Sequence, residues 1–583
     1  MQRVCFHGLP HSAEGGPGSV SGGEAAQACA RPRQLRRLWN SCSKLKEQVL
    51  DESPTTGLSD IQIADGLIAP VYARLPDIFR HTTLFALQEI STDEAILPYR
   101  GGTDWGDNGI YLSLHKHETT STDPNIRDTW NLLTQEISRC VTAINSLKLN
   151  KSPNAAIYSA EARGMKAFYN LLCLDLFGIV FVKENGDDIS KIIRGADAVA
   201  YIKSELLAVE PLVSSTTGPG RLTQTAVWGL IAKLQLNAAV YRDIYATAYQ
   251  FNDADMSDVI TYCDKIIAAG QYALSPDYFA IFGNDNHTNK ELIFVVDQRA
   301  NLNGHNRLAY FSLSGDQYPL TAFPSANGTD GPAITPTFYD SWLAGNPGDP
   351  ATGDPRFFKQ NVSMDTNPGD SCVTDFNIDR GILRGQQYGL IRTNGVFEKC
   401  VSGGYKVGPL FNKSRSNPTL PVNFSKFIDF SVAGSNYSTG FRVEKYEFSR
   451  ESVSGRNFGE ADISIIRLAD IYLMRAEAKL RKSTADAAGA LTDVNTVRTS
   501  RTAYTVQPNL LPAISLDLLF RERGFEFYWE MMRRSDMVRF GKYEDAWTEK
   551  TNTDKNKRVF PIPVTAIDAA SNLVGFLKQN PGY

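Results

Sequence analysis

What the chain has little of narrows its class first. Eight cysteines in 583 residues are too few for a disulfide-built fold. No CxxC pair with zinc spacing occurs, and HExxH, GxSxG, Walker-type and GxGxxG patterns are missing. Nothing therefore asks for a metal or an organic cofactor. Charge excess is lacking too: 60 basic against 64 acidic residues leave a net charge of −4 and a pI near 6.1. That balance offers no basic surplus for a phosphate backbone, which argues against nucleic acid as a partner. Long apolar runs are also missing. The longest, Leu171 to Val182, is interrupted by Asp175, so nothing spans a bilayer as a helix.

What is there suits a large folded core. Hydrophobic residues make up 42%, charged residues 21% and aromatics 10% of the chain, which excludes disorder of the whole. Length alone suggests about four domains, but helical arrays run far longer as single units. Residues 1–47 form an atypical N-terminal segment, rich in glycine and arginine near its start and without the apolar stretch of a signal peptide. Within it, Leu38-Trp39-Asn40-Ser41-Cys42-Ser43 has a lipoprotein look, because a small residue precedes a cysteine that opens a polar stretch. The alternative is a chance cysteine in a disordered tail. Ser41 to Lys44 matches SxxK but has no companion motifs.

From about residue 60 the pattern is helical. Ile61 to Phe79 reads as a helix broken by Pro70 and Pro76, and Trp130 to Leu147 as a cleaner one. Met165, Tyr169, Leu172 and Leu176 recur at steps of three and four, as do Val199, Ile202, Leu206 and Val209. Val227, Leu230 and Leu234, then Val259, Tyr262 and Ile266, continue the series, each setting one apolar stripe on a helix. Alternate helices recur at nearly twice the tetratricopeptide period, which predicts a scaffold of helix pairs over about 60–270. Residues 275–460 cluster Gly, Pro, Asn and Asp between short extended runs such as Leu292 to Asp297 and Phe441 to Tyr446. They are expected to form an irregular, ligand-bearing lobe. Helices are expected again from Ile463 to about 545, including one with Leu518, Phe525, Trp529 and Met532 on a face. The fold class is mainly α, and residues 48–583 are expected to be one domain.

Several residue groups invite chemistry. Glu522, Glu526 and Glu530 lie one turn apart and suit a general acid and base. Five nearby arginines, Arg521, Arg523, Arg533, Arg534 and Arg539, favour buried ion pairs instead. His115 and His117 would share one side of a strand, but no further cluster completes a metal site, so hydrogen-bonded histidines are expected. Cys140, Cys173 and Cys263 read as small core residues, whereas Cys372 and Cys400 either pair or stay free. Finally, the segment Tyr99-Arg100-Gly101-Gly102-Thr103-Asp104-Trp105-Gly106-Asp107-Asn108-Gly109-Ile110-Tyr111 is too glycine-rich for helix or strand. It either carries Trp105 outward beside planar polar groups, as a sugar surface requires, or tucks the indole inward as a cap.

Ordered blocks along the chain resemble one known family. Residues 86–120 resemble the N-terminal block of the SusD/RagB family with its RG-DW-D-G loop, and Ala160 to Gly178 resembles its EA-LRA-YY helix. TYCDKIIAAGQYALSPDYFAIF with NKELIFVV, STGFRVEKY, IRLADIYLMRAEAKL, DVNTVRTSR, RERGFEFYWEMMRRSDMVRFG, FPIPVTAI and the final QNPGY continue the match. The resemblance implies a SusD-like α-α superhelix without catalysis. It implies a nutrient-binding outer-membrane lipoprotein, anchored through Cys42 and facing the cell exterior. An oligo- or polysaccharide ligand would pass to a SusC-like TonB-dependent transporter. Trp105 falls at the family's aromatic platform, with Arg100, Asp104, Asp107 and Asn108 as polar neighbours and Tyr99 and Tyr111 flanking. Tyr310, Tyr318, Phe323 and Trp342 are further candidates from the lobe. A lid that binds peptide, a tetratricopeptide interaction scaffold and a helical glycoside hydrolase are the alternatives. The residues after Cys42 are basic, and the segment before it lacks the family's apolar signal.

Overall fold

The computed structural model describes residues 57–100, 109–299, 302, 305–319, 325–362, 371–431, 435–449 and 460–583. Cys42, Trp105, Asp104, Asp107, Asn108 and Phe323 lie outside the described residues. Helix α1 (Asp60–Tyr72) opens on a capping box, in which Ser59 and Gln62 satisfy each other's backbone N–H groups. Pro70 sits inside its last turn rather than breaking it, so the interruption falls after Tyr72. Helices α2 (Ile110–Lys116), α3 (Pro124–Leu147) and α4 (Ala155–Phe177) follow. Asp123 caps α3 by accepting the N–H groups of Asn125 and Ile126, and Pro124 supplies a preset first turn.

The expected apolar stripes form the helix pairs. α3 packs along α4, with Trp130 edge-on to Phe177 at 5.1 Å between ring centres. α5 (Gly195–Val209), α6 (Gln224–Leu236) and α7 (Asp253–Ala268) extend the array. Gly164 on α4 lets a neighbouring segment close in, since a Cβ there would meet Leu222 Cδ2 at 2.3 Å. Each fully buried Leu, Ile or Phe of these faces contributes about 1.5–3 kcal/mol. The array is held mainly by that burial.

Two departures from the periodicity organise the rest. Residues 463–467 are a strand rather than the start of a helix. β2 (Ile463–Arg467) pairs antiparallel with β1 (Leu292–Val296), from Ile463 opposite Val296 to Arg467 opposite Leu292. Both strands are buried along their whole length, so β1 is apolar at every position, while β2 buries Ser464 and Arg467 together with three isoleucines. The helices α9 (Leu468–Arg481), α10 (Ala487–Arg498) and α11 (Leu516–Phe527) then resume the array. The second departure ends α11 at Phe527. Trp529 and Met531 take left-handed backbone angles, φ 66° and 60°, before α12 (Arg533–Arg539) begins. Phe525 and Trp529 thus face different neighbours, and no single helix joins them.

Between β1 and β2 lies the irregular lobe. It is not free of helix: α8 (Pro336–Gly345), capped by Thr335, packs against α11. Short strands Tyr388–Leu390, Tyr405–Pro409 and Ser371–Val373 form one small sheet with the middle strand at Tyr405–Pro409. Cys372 and Cys400 form a disulfide across 28 residues beside it. Leu313, Leu383, Val407 and Phe424 build a separate apolar cluster within the lobe. Cys140, Cys173 and Cys263 are free and buried, as expected.

Candidate functional site

The glycine-rich loop is anchored at both described ends. At its start Arg100 is buried, and its guanidinium donates to four backbone carbonyls and to the Thr439 hydroxyl at 3.3 Å. Nη1 donates to Thr439 at 2.6 Å and Asn436 at 3.1 Å, Nη2 to Gly331 at 2.9 Å and Nε to Asp330 at 3.2 Å. Burial, reinforced by the nearby Arg442 charge, pulls this guanidinium well below its ordinary pKa. At the other end Gly109 caps α2 in the left-handed region at φ 77°, which suits glycine. Tyr99, half-buried, precedes Arg100.

Asp330 is the hub of this stem. Its backbone also takes a left-handed angle, φ 54°, fixed by its N–H donating to Leu313 O at 2.8 Å. The carboxylate accepts Arg415 Nε at 2.7 Å and the Gly315 N–H at 3.0 Å. Arg415 lies 5.4 Å over the ring of Tyr437 and is held above its ordinary pKa: burial lowers it, but Asp330 outweighs that. Arg442 donates to Tyr437 O at 2.9 Å and to Ser312 O at 3.1 Å. Half-buried Tyr437 and Arg415 therefore stand where the loop is rooted. The sequence reading missed both. The signal was available, since Ser435-Asn436-Tyr437-Ser438-Thr439-Gly440 sets an aromatic among turn formers as the loop itself does.

Other candidates are placed elsewhere. Arg100 is a strut of the stem rather than an exposed ligand contact, because it is 1% exposed and donates across the stem to Asp330, Gly331, Asn436 and Thr439. Tyr111 is 1% exposed within the main core. Trp342 is fully buried on α8 and stacks on Phe525 with ring centres 4.0 Å apart, so neither face is free for a ligand. Tyr310 is buried against Phe448 at 5.1 Å, and its hydroxyl bonds His305 Nε2 at 2.6 Å. Tyr318 is buried edge-on to Phe397, with the Arg392 guanidinium 4.5 Å from its ring centre. Of the described candidates, only Tyr99 has appreciable exposure.

The glutamate series is an ion-pair network. Glu526 Oε1 accepts Arg501 Nη2 at 2.6 Å and Arg467 Nη1 at 2.7 Å, while Oε2 accepts Arg356 Nη1 at 2.9 Å. Glu530 accepts Arg467 Nε at 2.8 Å and Lys445 Nζ at 2.7 Å, and Glu522 accepts Arg356 Nη1 at 2.8 Å. Burial alone would raise the Glu526 carboxyl, but Arg501, Arg467 and Arg356 outweigh it and hold it well below its usual range. Ion pairing was expected, yet the partners come from distant segments. The nearby arginines serve other acids: Arg533 pairs with Asp93, Arg534 with Asp175 and Arg523 with Asp536. His115 and His117 sit at the end of α2 rather than on a strand. His115 Nε2 lies 2.7 Å from Thr548 O, and His117 Nε2 lies 2.8 Å from Ser91 O.

Comparison with known proteins shows what the chain resembles. The SusD family model matches residues 429–583. The chain is 27% identical over 450 residues to starch-binding protein SusD of Bacteroides thetaiotaomicron, covering 73% of this chain and 72% of that one. In fold it resembles a SusD superfamily protein from Parabacteroides distasonis at TM-score 0.63 and 17% identity, over 90% of this chain and 100% of the other. It also resembles surface glycan-binding protein A of Bacteroides thetaiotaomicron in complex with laminarihexaose, at TM-score 0.60 and 19% identity, over 89% and 99% of the two chains. The SusD/RagB resemblance and the mainly helical SusD-like fold are thus borne out. Among the described residues, no helix is long and apolar enough to cross a membrane.

Proposed function

We propose that this SusD-like chain is a non-catalytic cell-surface protein that binds an oligo- or polysaccharide and delivers it to a SusC-like TonB-dependent transporter. The observation that carries this reading is the 27% identity over 450 residues to a protein named for binding starch. The loop rooted by Arg100 and Gly109 supplies the site. Trp105 stacks on the apolar face of a sugar ring, while Asp104, Asp107 and Asn108 hydrogen-bond its hydroxyls. Tyr99, Tyr437 and Arg415 border the stem and complete the surface, and Arg100 holds the loop in place. Cys42 carries the lipid that anchors the chain to the outer membrane, and the helical face docks the transporter.

Absence of catalysis is part of the reading. The regularly spaced carboxylates best suited to acid and base work, Glu522, Glu526 and Glu530, are committed to arginine and lysine partners in the core. Affinity electrophoresis against laminarin, starch, xyloglucan and other soluble glycans tests the proposal. One or more glycans should retard the native protein, and Trp105→Ala should abolish that retardation without changing the melting temperature. No retardation by any glycan would sink the function. Retardation unchanged in Trp105→Ala would move the site.

A further inference from the structure

Where the irregular lobe meets the helical scaffold, an open groove lies apart from the loop stem. It encloses about 350 Å³ and is bordered by Asp277, Phe358, Lys359, Gln360, Tyr504 and Val506. Ligand pockets run from about 300 to 1,000 Å³, so this one suits a short stretch of a ligand rather than a long chain.

Local structure makes both walls firm. The segment after α10 is fastened along residues 275–277 by successive contacts: Arg501 donates to Ser275 O at 2.8 Å, the Ala503 N–H to Pro276 O at 3.1 Å, and the Tyr504 hydroxyl to Asp277 Oδ1. The Tyr504 ring is thereby held half-buried at the surface. The strand Phe358–Lys359 forms the facing wall, pairing Phe358 with Gly381 and Lys359 with Arg380. Phe358, half-buried, packs against both the main core and the lobe cluster. Lys359 Nζ reaches across to Asp277 Oδ2 at 2.9 Å. Gln360 is exposed and donates its amide to Val362 O at 3.2 Å, which leaves Oε1 open as an acceptor. Burial alone would raise the Asp277 carboxyl, but the bonds from Tyr504 and Lys359 outweigh it and hold it below its usual range. It therefore stays an acceptor at neutral pH.

This chemistry fits a neutral, hydroxyl-rich ligand. The Asp277 and Lys359 charges cancel, so the groove offers nothing to an ionic one. Half-buried rings beside planar amide and carboxylate groups match the apolar face and the vicinal hydroxyls of a sugar. Groups already fixed by the fold lose little freedom on binding. We propose that this seam is a second saccharide-contact site, in which Tyr504 stacks on a sugar ring while Gln360, Lys359 and Asp277 bond its hydroxyls. It shares no residue with the loop stem, and it rests on the glycan reading for its class of ligand. Alone it is weak, with an expected dissociation constant of about 1 mM, too weak to retard the chain by itself. Its use is to hold a further stretch of a polymer already engaged at the loop.

Saturation-transfer NMR with millimolar laminarihexaose and maltohexaose tests it on the Trp105→Ala chain, in which the loop is silenced. That chain should still receive one of the two sugars, and adding Tyr504→Ala or Gln360→Ala should weaken the binding roughly fivefold. Gln360 is exposed, so its variant keeps the test valid if the Tyr504 variant fails to fold. No transfer to either sugar from the Trp105→Ala chain, or transfer unchanged by both added substitutions, would overturn the proposal. Failure of the loop assignment shows itself differently, as equal binding by the native and Trp105→Ala chains.

Discussion

Arg100 and Thr439 are 339 residues apart in sequence, yet the Arg100 guanidinium donates to the Thr439 carbonyl at 2.6 Å. This contact roots the start of the glycine-rich loop on the lobe. Replacing Arg100 with Ala would strand several buried carbonyls, each costing about 1–3 kcal/mol. The variant is expected to melt well below the native chain and to lose glycan retardation with it. Trp105→Ala should lose retardation alone, so the pair of variants measured by melting and by affinity electrophoresis separates support from contact.

The core ion network gives a second expectation. Arg467 serves Glu291, Glu526 and Glu530 at 2.7, 2.7 and 2.8 Å with every side chain fully buried. Arg467→Met would leave uncompensated carboxylates and cost about 3–5 kcal/mol. Urea unfolding should register the loss as a lower midpoint. A midpoint within error of the native value would mean that the network contributes little.

A pH dependence follows from the turn before α12. The Trp529 N–H donates to Glu94 Oε1 at 2.6 Å, and the Met532 N–H donates to Glu89 Oε1 at 3.2 Å. Burial raises the Glu94 carboxyl to about 8 and pushes Glu89 well above its usual range. A raised carboxyl stabilises fully below its unfolded pKa of 4.5, and that contribution is lost as pH climbs toward 8. Burial lowers the pKa of both His81 and His117, so above about pH 6.5 they are neutral folded or unfolded and add no slope. Between pH 6.5 and 8 the native chain should lose stability, with Glu94 contributing about 1.4 kcal/mol per pH unit. Glu94→Gln should show a slope shallower by that amount in urea titrations at the two pH values. Equal slopes would refute the assignment.

Removing the disulfide should act on the lobe. Cys400→Ser opens the 28-residue link to Cys372 and is expected to cost about 2–4 kcal/mol. Hydrogen exchange should show the loss first in strands Ser371–Val373 and Tyr405–Pro409. Protection in α3 and α4 should stay unchanged.

The helical half was legible because burial imposes a 3.6-residue period, and the stripes through Met165 and Val227 lie where that period puts them. The strand at Ile463–Arg467 was not, since a five-residue buried segment running straight into Leu468–Arg481 shows no alternation that separates it from the first turn of that helix. The end of α11 was hidden for a different reason: left-handed Trp529 and Met531 are held by Glu94 and Glu89, whose position depends on tertiary packing. Trp342 misled because an aromatic in a Pro- and Gly-rich region reads as exposed, yet α8 turns it onto Phe525. Tyr437 was readable by the logic applied to Trp105.

The opposition of Val296 and Ile463 has one more consequence. The intervening lobe leaves and rejoins the scaffold through adjacent strand ends. Lengthening the chain there changes the closure entropy only slowly, about 0.6 kcal/mol for each doubling. The outer parts of the lobe can therefore be enlarged or trimmed, provided that its contacts with the scaffold are kept, among them Arg356, Lys445, Trp342, Phe311, Val443 and the carbonyls that hold Arg100. New ligand surfaces can arise on an unaltered frame.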